Sequence, residues 1–163
     1  MRLLTDSTLS DDAVTALWRT AARRSGADEA FDADGRAWLR EIAEVCTAWL
    51  AGVAPSYVSR APTHREDVRE PVLHEVRDVR PALDRAVARQ TSGAAADAIT
   101  PLLEETVTSV DPDLGFRLLL HLVDRYDVAI GETQFLRYKE IGARLGFRGA
   151  YVTDQVSECV RPR

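Results

Sequence analysis

Asp34-Gly35-Arg36-Ala37-Trp38-Leu39-Arg40-Glu41-Ile42-Ala43-Glu44-Val45-Cys46-Thr47-Ala48-Trp49-Leu50-Ala51 decides the fold class. Trp38, Leu39, Ile42, Val45, Cys46, Trp49 and Leu50 recur at spacings of three and four, the period of one helix face. Arg36, Arg40, Glu41 and Glu44 take the opposite side, and Gly52 and Pro55 supply the stop that commonly follows a helix. The reading is an amphipathic helix whose apolar stripe, both tryptophans included, enters a core. A ligand-stacking role for the tryptophan pair is the alternative.

The same period extends in both directions. Upstream, Val14, Leu17, Trp18 and Ala21 follow Ser10-Asp11-Asp12, a short polar side chain and two carboxylates suited to a helix start, and Gly26 closes that helix. Downstream, residues 55–65 read as a loop, and Thr63 with Glu66 forms a capping box. Val68, Val72, Leu73, Val76, Val79, Leu83 and Val87 continue a helical face to about Arg89. Pro71 and Pro81 each predict a kink or break there. Thr91-Ser92-Gly93 is the candidate internal joint. Thr100-Pro101 and Asp111-Pro112 both read as a cap followed by a first-turn proline. Further helices run through Leu114–Val123, from about Glu132 to Gly146, and from about Ala150 to Val160. No stretch alternates with period two, so strands are at most incidental. The expectation is an all-α, compact multi-helix bundle of about seven or eight short helices, with residues 1–163 in one domain.

Composition bounds the function. The chain has 163 residues, 45% hydrophobic and 29% charged, with a net charge of -5. Such usage is that of an ordinary globular domain. An acidic balance argues against a broad nucleic-acid-coating surface, which needs clustered Lys and Arg. Lys139 is the single lysine, a bias that a G- and C-rich genome produces and that selection for bidentate Arg contacts would also favour. Cys46 and Cys159 form no CxxC pair, which fits free thiols in a reducing compartment; a disulfide between them is the alternative. The N-terminus shows no signal-like segment, and no run of about 18 apolar residues exists. The expected location is cytoplasmic, without membrane contact.

Chemistry is sparse. His64, His74 and His121 are the histidines, and Glu70 with His74 is the one pair at helical spacing for a metal edge. No zinc or di-iron template is complete, so no metal is expected. No GxSxG elbow, GxxxxGK[ST] cradle or GxGxxG turn occurs. The carboxylate pairs Glu41/Glu44, Glu104/Glu105 and Asp124/Asp127 read as solvated faces. No catalytic residue and no cofactor are expected; the chain reads as a non-enzyme, its oligomeric state open. One nucleic-acid pattern stands out. Ile141-Gly142-Ala143-Arg144-Leu145-Gly146-Phe147, with Tyr151 and Val152, has helix-turn-helix spacing within residues 138–158. Its would-be recognition helix, Gly149–Glu158, holds Asp154 and Glu158 and no Arg or Lys, so DNA binding is the second reading.

Within Leu122–Val152, Tyr126-Asp127-Val128-Ala129-Ile130, Phe135, Glu140-Ile141-Gly142, Leu145-Gly146-Phe147 and Tyr151 together resemble the MafI-type bacterial immunity proteins. The resemblance implies a helical cytoplasmic antitoxin that binds and neutralises a secreted toxin without catalysis, and it carries over no fixed site. From the residues themselves, Asp124, Tyr126 and Asp127 are the candidate partner-binding group: an aromatic flanked by acceptors for a partner's Arg or Lys. A loop aromatic packed over the next helix, with solvated neighbours, is the alternative.

Overall fold

The computed structural model describes residues 2–22, 34–56, 65–90 and 95–161. A single helical turn, α1 (Arg2–Thr5), precedes α2 (Asp11–Ala22). The Ser10 hydroxyl accepts from the Ala13 amide at 3.1 Å and so starts α2 as the sequence predicts. Next comes α3 (Gly35–Val53), capped by Asp34, whose carboxylate accepts from the amides of Arg36 and Ala37. Helix α3 crosses α2 closely. A Cβ on Gly35 would lie 2.7 Å from the Thr15 Cα, so only glycine fits the crossing.

Two corrections fall on α3. Val45 is 69% exposed and Trp49 64%, and Cys46 is exposed with them. Helix α3 packs chiefly against α1 and α2. Those contacts hold its first half, where Gly35, Arg36 and Leu39 are buried. Amphipathic spacing shows that a face favours cover; it does not supply the cover. The second correction is Arg36, which is 7% exposed rather than solvated. Its guanidinium reaches the carbonyls of Leu4 at 2.9 Å, Thr5 at 2.6 Å and Leu9 at 2.5 Å, and the Asp11 carboxylate at 2.5 Å. Five N–H donors in a rigid fork let one side chain gather the turn between α1 and α2.

Helix α4 (Glu66–Gln90) runs unbroken through Pro71 and Pro81. A proline leaves the carbonyl four residues back without its donor. At Pro71 that carbonyl belongs to Asp67, and Arg144 donates to it instead. Pro81 is exposed, so water can reach the carbonyl it frees. Helix α5 (Ala95–Glu105) also runs through its expected cap, Thr100-Pro101. The buried Thr100 hydroxyl donates across to Asp84 on α4 at 2.5 Å. A π-turn (Thr106–Val110) ends at Asp111, which accepts from the Leu114 amide at 3.0 Å and starts α6 (Pro112–Arg125) with proline in first position, as expected.

The chain closes with α7 (Glu132–Arg144), α8 (Tyr151–Val156) and a 3₁₀ turn (Ser157–Cys159). The final helix therefore ends four residues before the expected Val160. Among the described residues β-structure is confined to one parallel bridge, Ile130 with Val160. The architecture is all-α. One contiguous cluster of buried side chains includes Val14, Leu17, Leu83, Leu103, Phe116 and Val156. Helix α4 is its spine, touching α5, α6, α7 and the π-turn. The Thr63 cap, the joint at Thr91-Ser92-Gly93 and the Gly26 stop lie outside the described residues. Among the described residues no helix is long and apolar enough to cross a membrane.

Candidate functional site: the acidic tip of α6

Helix α6 ends in a six-residue Schellman turn. The Asp127 amide donates to Asp124 at 3.1 Å and the Val128 amide to Val123 at 2.9 Å. This motif places its C′ residue in the left-handed region, where glycine is usual. Here that residue is Asp127, at φ +46, the one non-glycine at positive φ among the described residues. Val123 and Val128 are both buried, the apolar contact that commonly accompanies the motif.

The structure divides the three predicted partner residues. Asp124 and Asp127 are exposed, and the Asp127 side chain is 76% accessible. Tyr126 is 2% exposed, which corrects its assignment as a surface anchor. It lies four residues after Leu122 and three after Val123, both buried, so it continues the inward stripe of α6. Its hydroxyl donates to the Thr20 carbonyl at 3.4 Å, tying α6 to α2. What remains at the surface is ionic. Burial, and then the charges of Asp124 and Asp127, push the Cys159 thiol up to about 11, with Glu158 adding in the same sense. Asp124 and Asp127 thus stand exposed at the end of α6, where the helix dipole is also negative. Arg161 answers them, 3.1 Å from Asp127.

Arg161 also borders an open cleft of about 790 Å³ between α4 and the start of α7. Asp78, Glu132, Gln134 and Arg137 line it as well. On its α4 side lies a group that the sequence reading missed. Glu75 is 1% exposed, and Arg137 bridges it at 2.5 Å and Asp78 at 2.6 Å. The hydrogen bond from Arg137 to Glu75 holds the guanidinium above its usual pKa. The signal was present: Glu75 lies three residues after Val72 and four before Val79, inside the apolar register of α4. Tyr138, fully buried beside this pair, has its phenol pKa raised by burial first and by Glu75 second.

Other candidates take structural places. His121 donates from Nε2 to the Ala21 carbonyl at 2.8 Å. Glu70 and His74 are both exposed on α4. Glu104 pairs with Arg77 at 3.3 Å. Among the described residues no group of three or more His, Cys, Asp or Glu side chains stands where a metal could be held. The helix-turn-helix segment forms α7, a turn with Gly146 at φ +75, and α8. Gly142 allows the two helices to meet: a Cβ there would come within 2.7 Å of Val152 Cγ2. Phe147 and Tyr151 pack on each other, with the Arg117 guanidinium 4.1 Å from the Phe147 ring centroid. Helix α8 has only six residues, and Asp154 and Glu158 are exposed.

The comparisons with known proteins leave the geometry to speak for itself. No protein-family model, no curated protein and no solved structure matches the chain.

Proposed function

We propose that this chain is a non-catalytic interaction protein whose acidic α6 tip binds a basic protein partner. Its specific form is an immunity protein that neutralises a secreted bacterial toxin, in line with the MafI-type resemblance of residues 122–152. The observation that carries this reading is Asp127. A left-handed backbone favours glycine over other residues, and the carboxylate that Asp127 displays there is exposed, as is that of Asp124 three residues before it. With Tyr126 in the core, the tip acts by charge, which governs encounter rate and salt dependence. The net charge of -5 acts in the same direction.

The test is calorimetric titration with the product of any toxin-like gene found immediately upstream, at about 50 and about 300 mM salt, a range over which exposed charges become screened. Wild-type protein should bind, more weakly at the higher salt. Asp124→Lys with Asp127→Lys should weaken binding at least tenfold. Absence of binding by the wild type, or equal binding by the double variant, overturns the reading. An electrophoretic shift of duplex DNA at low salt would favour the helix-turn-helix alternative instead. The packed α7–α8 pair supports that alternative, and the short, acidic α8 works against it.

A further inference from the structure

The cleft between α4 and the start of α7 borders an open edge of backbone. Residues 126–131 link α6 to α7, and within them Ile130 forms the parallel bridge to Val160. The Ile130 amide donates to the Cys159 carbonyl at 3.0 Å, and the Ile130 carbonyl accepts from the Arg161 amide at 2.9 Å. Both main-chain groups of Ile130 are thereby used on one side. In an extended chain the residues before and after aim theirs to the other side. The Ala129 amide, the Ala129 carbonyl and the Gly131 amide accordingly face away from Val160. Ala129 is exposed, and among the described residues these three groups take part in no backbone hydrogen bond. An edge of this kind is a template for an added strand.

Charge and the apolar wall of the cleft select the occupant. Ala129 and Gly131 line the cleft together with Val79 and Ala82 of α4. The two arginines that border it already hold carboxylates: Arg137 bridges Glu75 and Asp78, and Arg161 holds Asp127. With Glu132, which also lines the cleft, four carboxylates stand against two guanidinium groups. An acidic segment finds no surplus of positive charge here, whereas a basic one is complemented. Side chains of an extended segment alternate in direction. One set would lie over Val79 and Ala82, and the other would meet Asp78 and Glu132. Through the Arg161–Asp127 pair the cleft is also continuous with the α6 tip.

We propose that the edge at Ala129 and Gly131 takes an extended basic segment of the protein partner as an added strand, seated between α4 and the start of α7. The proposal rests on the reading of the α6 tip as a site for a basic partner, and extends it. Charge at the tip speeds encounter, and main-chain hydrogen bonds at the edge hold what arrives.

The test follows the backbone amides of the isotope-labelled full chain by nuclear magnetic resonance. The probe is a capped peptide of alternating Arg and Val, about six residues long, the usual length of a strand. The Ala129 and Gly131 signals should move and saturate on titration. The same peptide methylated on its backbone nitrogens keeps its charge and loses its donors. It should bind about tenfold more weakly, the worth of one or two hydrogen bonds. A peptide of alternating Glu and Val should leave both signals in place. Glu132→Gln, a change at an exposed residue, should weaken the Arg–Val peptide about two- to fivefold, as loss of one exposed ion pair does. Signals that stay still with the Arg–Val peptide overturn the proposal, as does equal binding of the methylated peptide or of the Glu–Val peptide. Because the probe is not the natural partner, the two failures separate. Movement at Ala129 and Gly131 upholds the edge even where no toxin binds in calorimetry. Stillness there overturns it even where Asp124 and Asp127 bind the toxin.

Discussion

Asp127 occupies a backbone conformation in which glycine rests without strain. Asp127→Gly is therefore expected to stabilise the fold by less than about 1 kcal/mol, because relief of left-handed strain is partly offset by glycine's freedom in the unfolded chain, so the midpoint should rise by at most roughly 4 °C. Thermal denaturation checks it. The same change should weaken partner binding if the exposed carboxylate is the reason an aspartate stands there. Cys159 gives the pH counterpart. Its folded pKa, about 11, lies above the ordinary thiol value, so the fold favours the protonated form. That stabilisation is present below about pH 9 and is lost as pH rises through about 11, an effect of order 2 kcal/mol. Cys159→Ala should show a shallower loss over that window than wild type in denaturant titrations. The buried Tyr138 phenol acts in the same sense in both proteins, so their difference isolates the thiol. In native protein a thiol reagent should modify Cys46 and spare Cys159.

At the scale of the element, what the sequence disclosed was period and punctuation. Ser10 and Asp111 cap where they were expected to, because a cap is a local event between residues three apart. Errors came where a distant residue decides. Pro71 was expected to kink or break α4, but the helix is continuous there, and Arg144, 73 positions later, occupies the freed Asp67 carbonyl. Trp49 belonged to an apolar stripe, and nothing local could show that α1 and α2 reach only its first half. Tyr126 read as a surface anchor because a Schellman turn with an aspartate in glycine's usual place does not show in the period of α6; the alternative, a packed aromatic between solvated neighbours, is nearer to what the structure holds. Glu75 stood inside the apolar register of α4 and could have been found there, whereas Arg36 read as part of the charged face of α3, and the partners of neither were legible. Two variants probe these elements. Arg36→Ala should cost about 2–4 kcal/mol by losing a buried charged donor. Arg36→Lys should recover only part, since an ammonium cannot span the same carbonyls. Urea unfolding measures both, and limited proteolysis should find new cleavage between Leu4 and Leu9. Gly142→Ala forces Val152 aside and should cost about 1–3 kcal/mol. Full retention of stability would show that α7 and α8 tolerate a wider separation.

At the scale of the molecule, side chains from α2 to the last 3₁₀ turn join one buried cluster. Melting followed by far-UV dichroism and by tryptophan fluorescence should accordingly coincide, since Trp18 packs against that cluster and most helix lies elsewhere. Separate transitions would divide the chain into two folding units. Among the described residues little packs on the second half of α3, and this has a further consequence. A helical segment of about ten residues is marginal in water on its own backbone bonds alone. In dilute protein its amides should take up deuterium faster than those of α4, which neighbours enclose. Isotope labelling, read peptide by peptide, would then separate a fraying end of α3 from the enclosed α4.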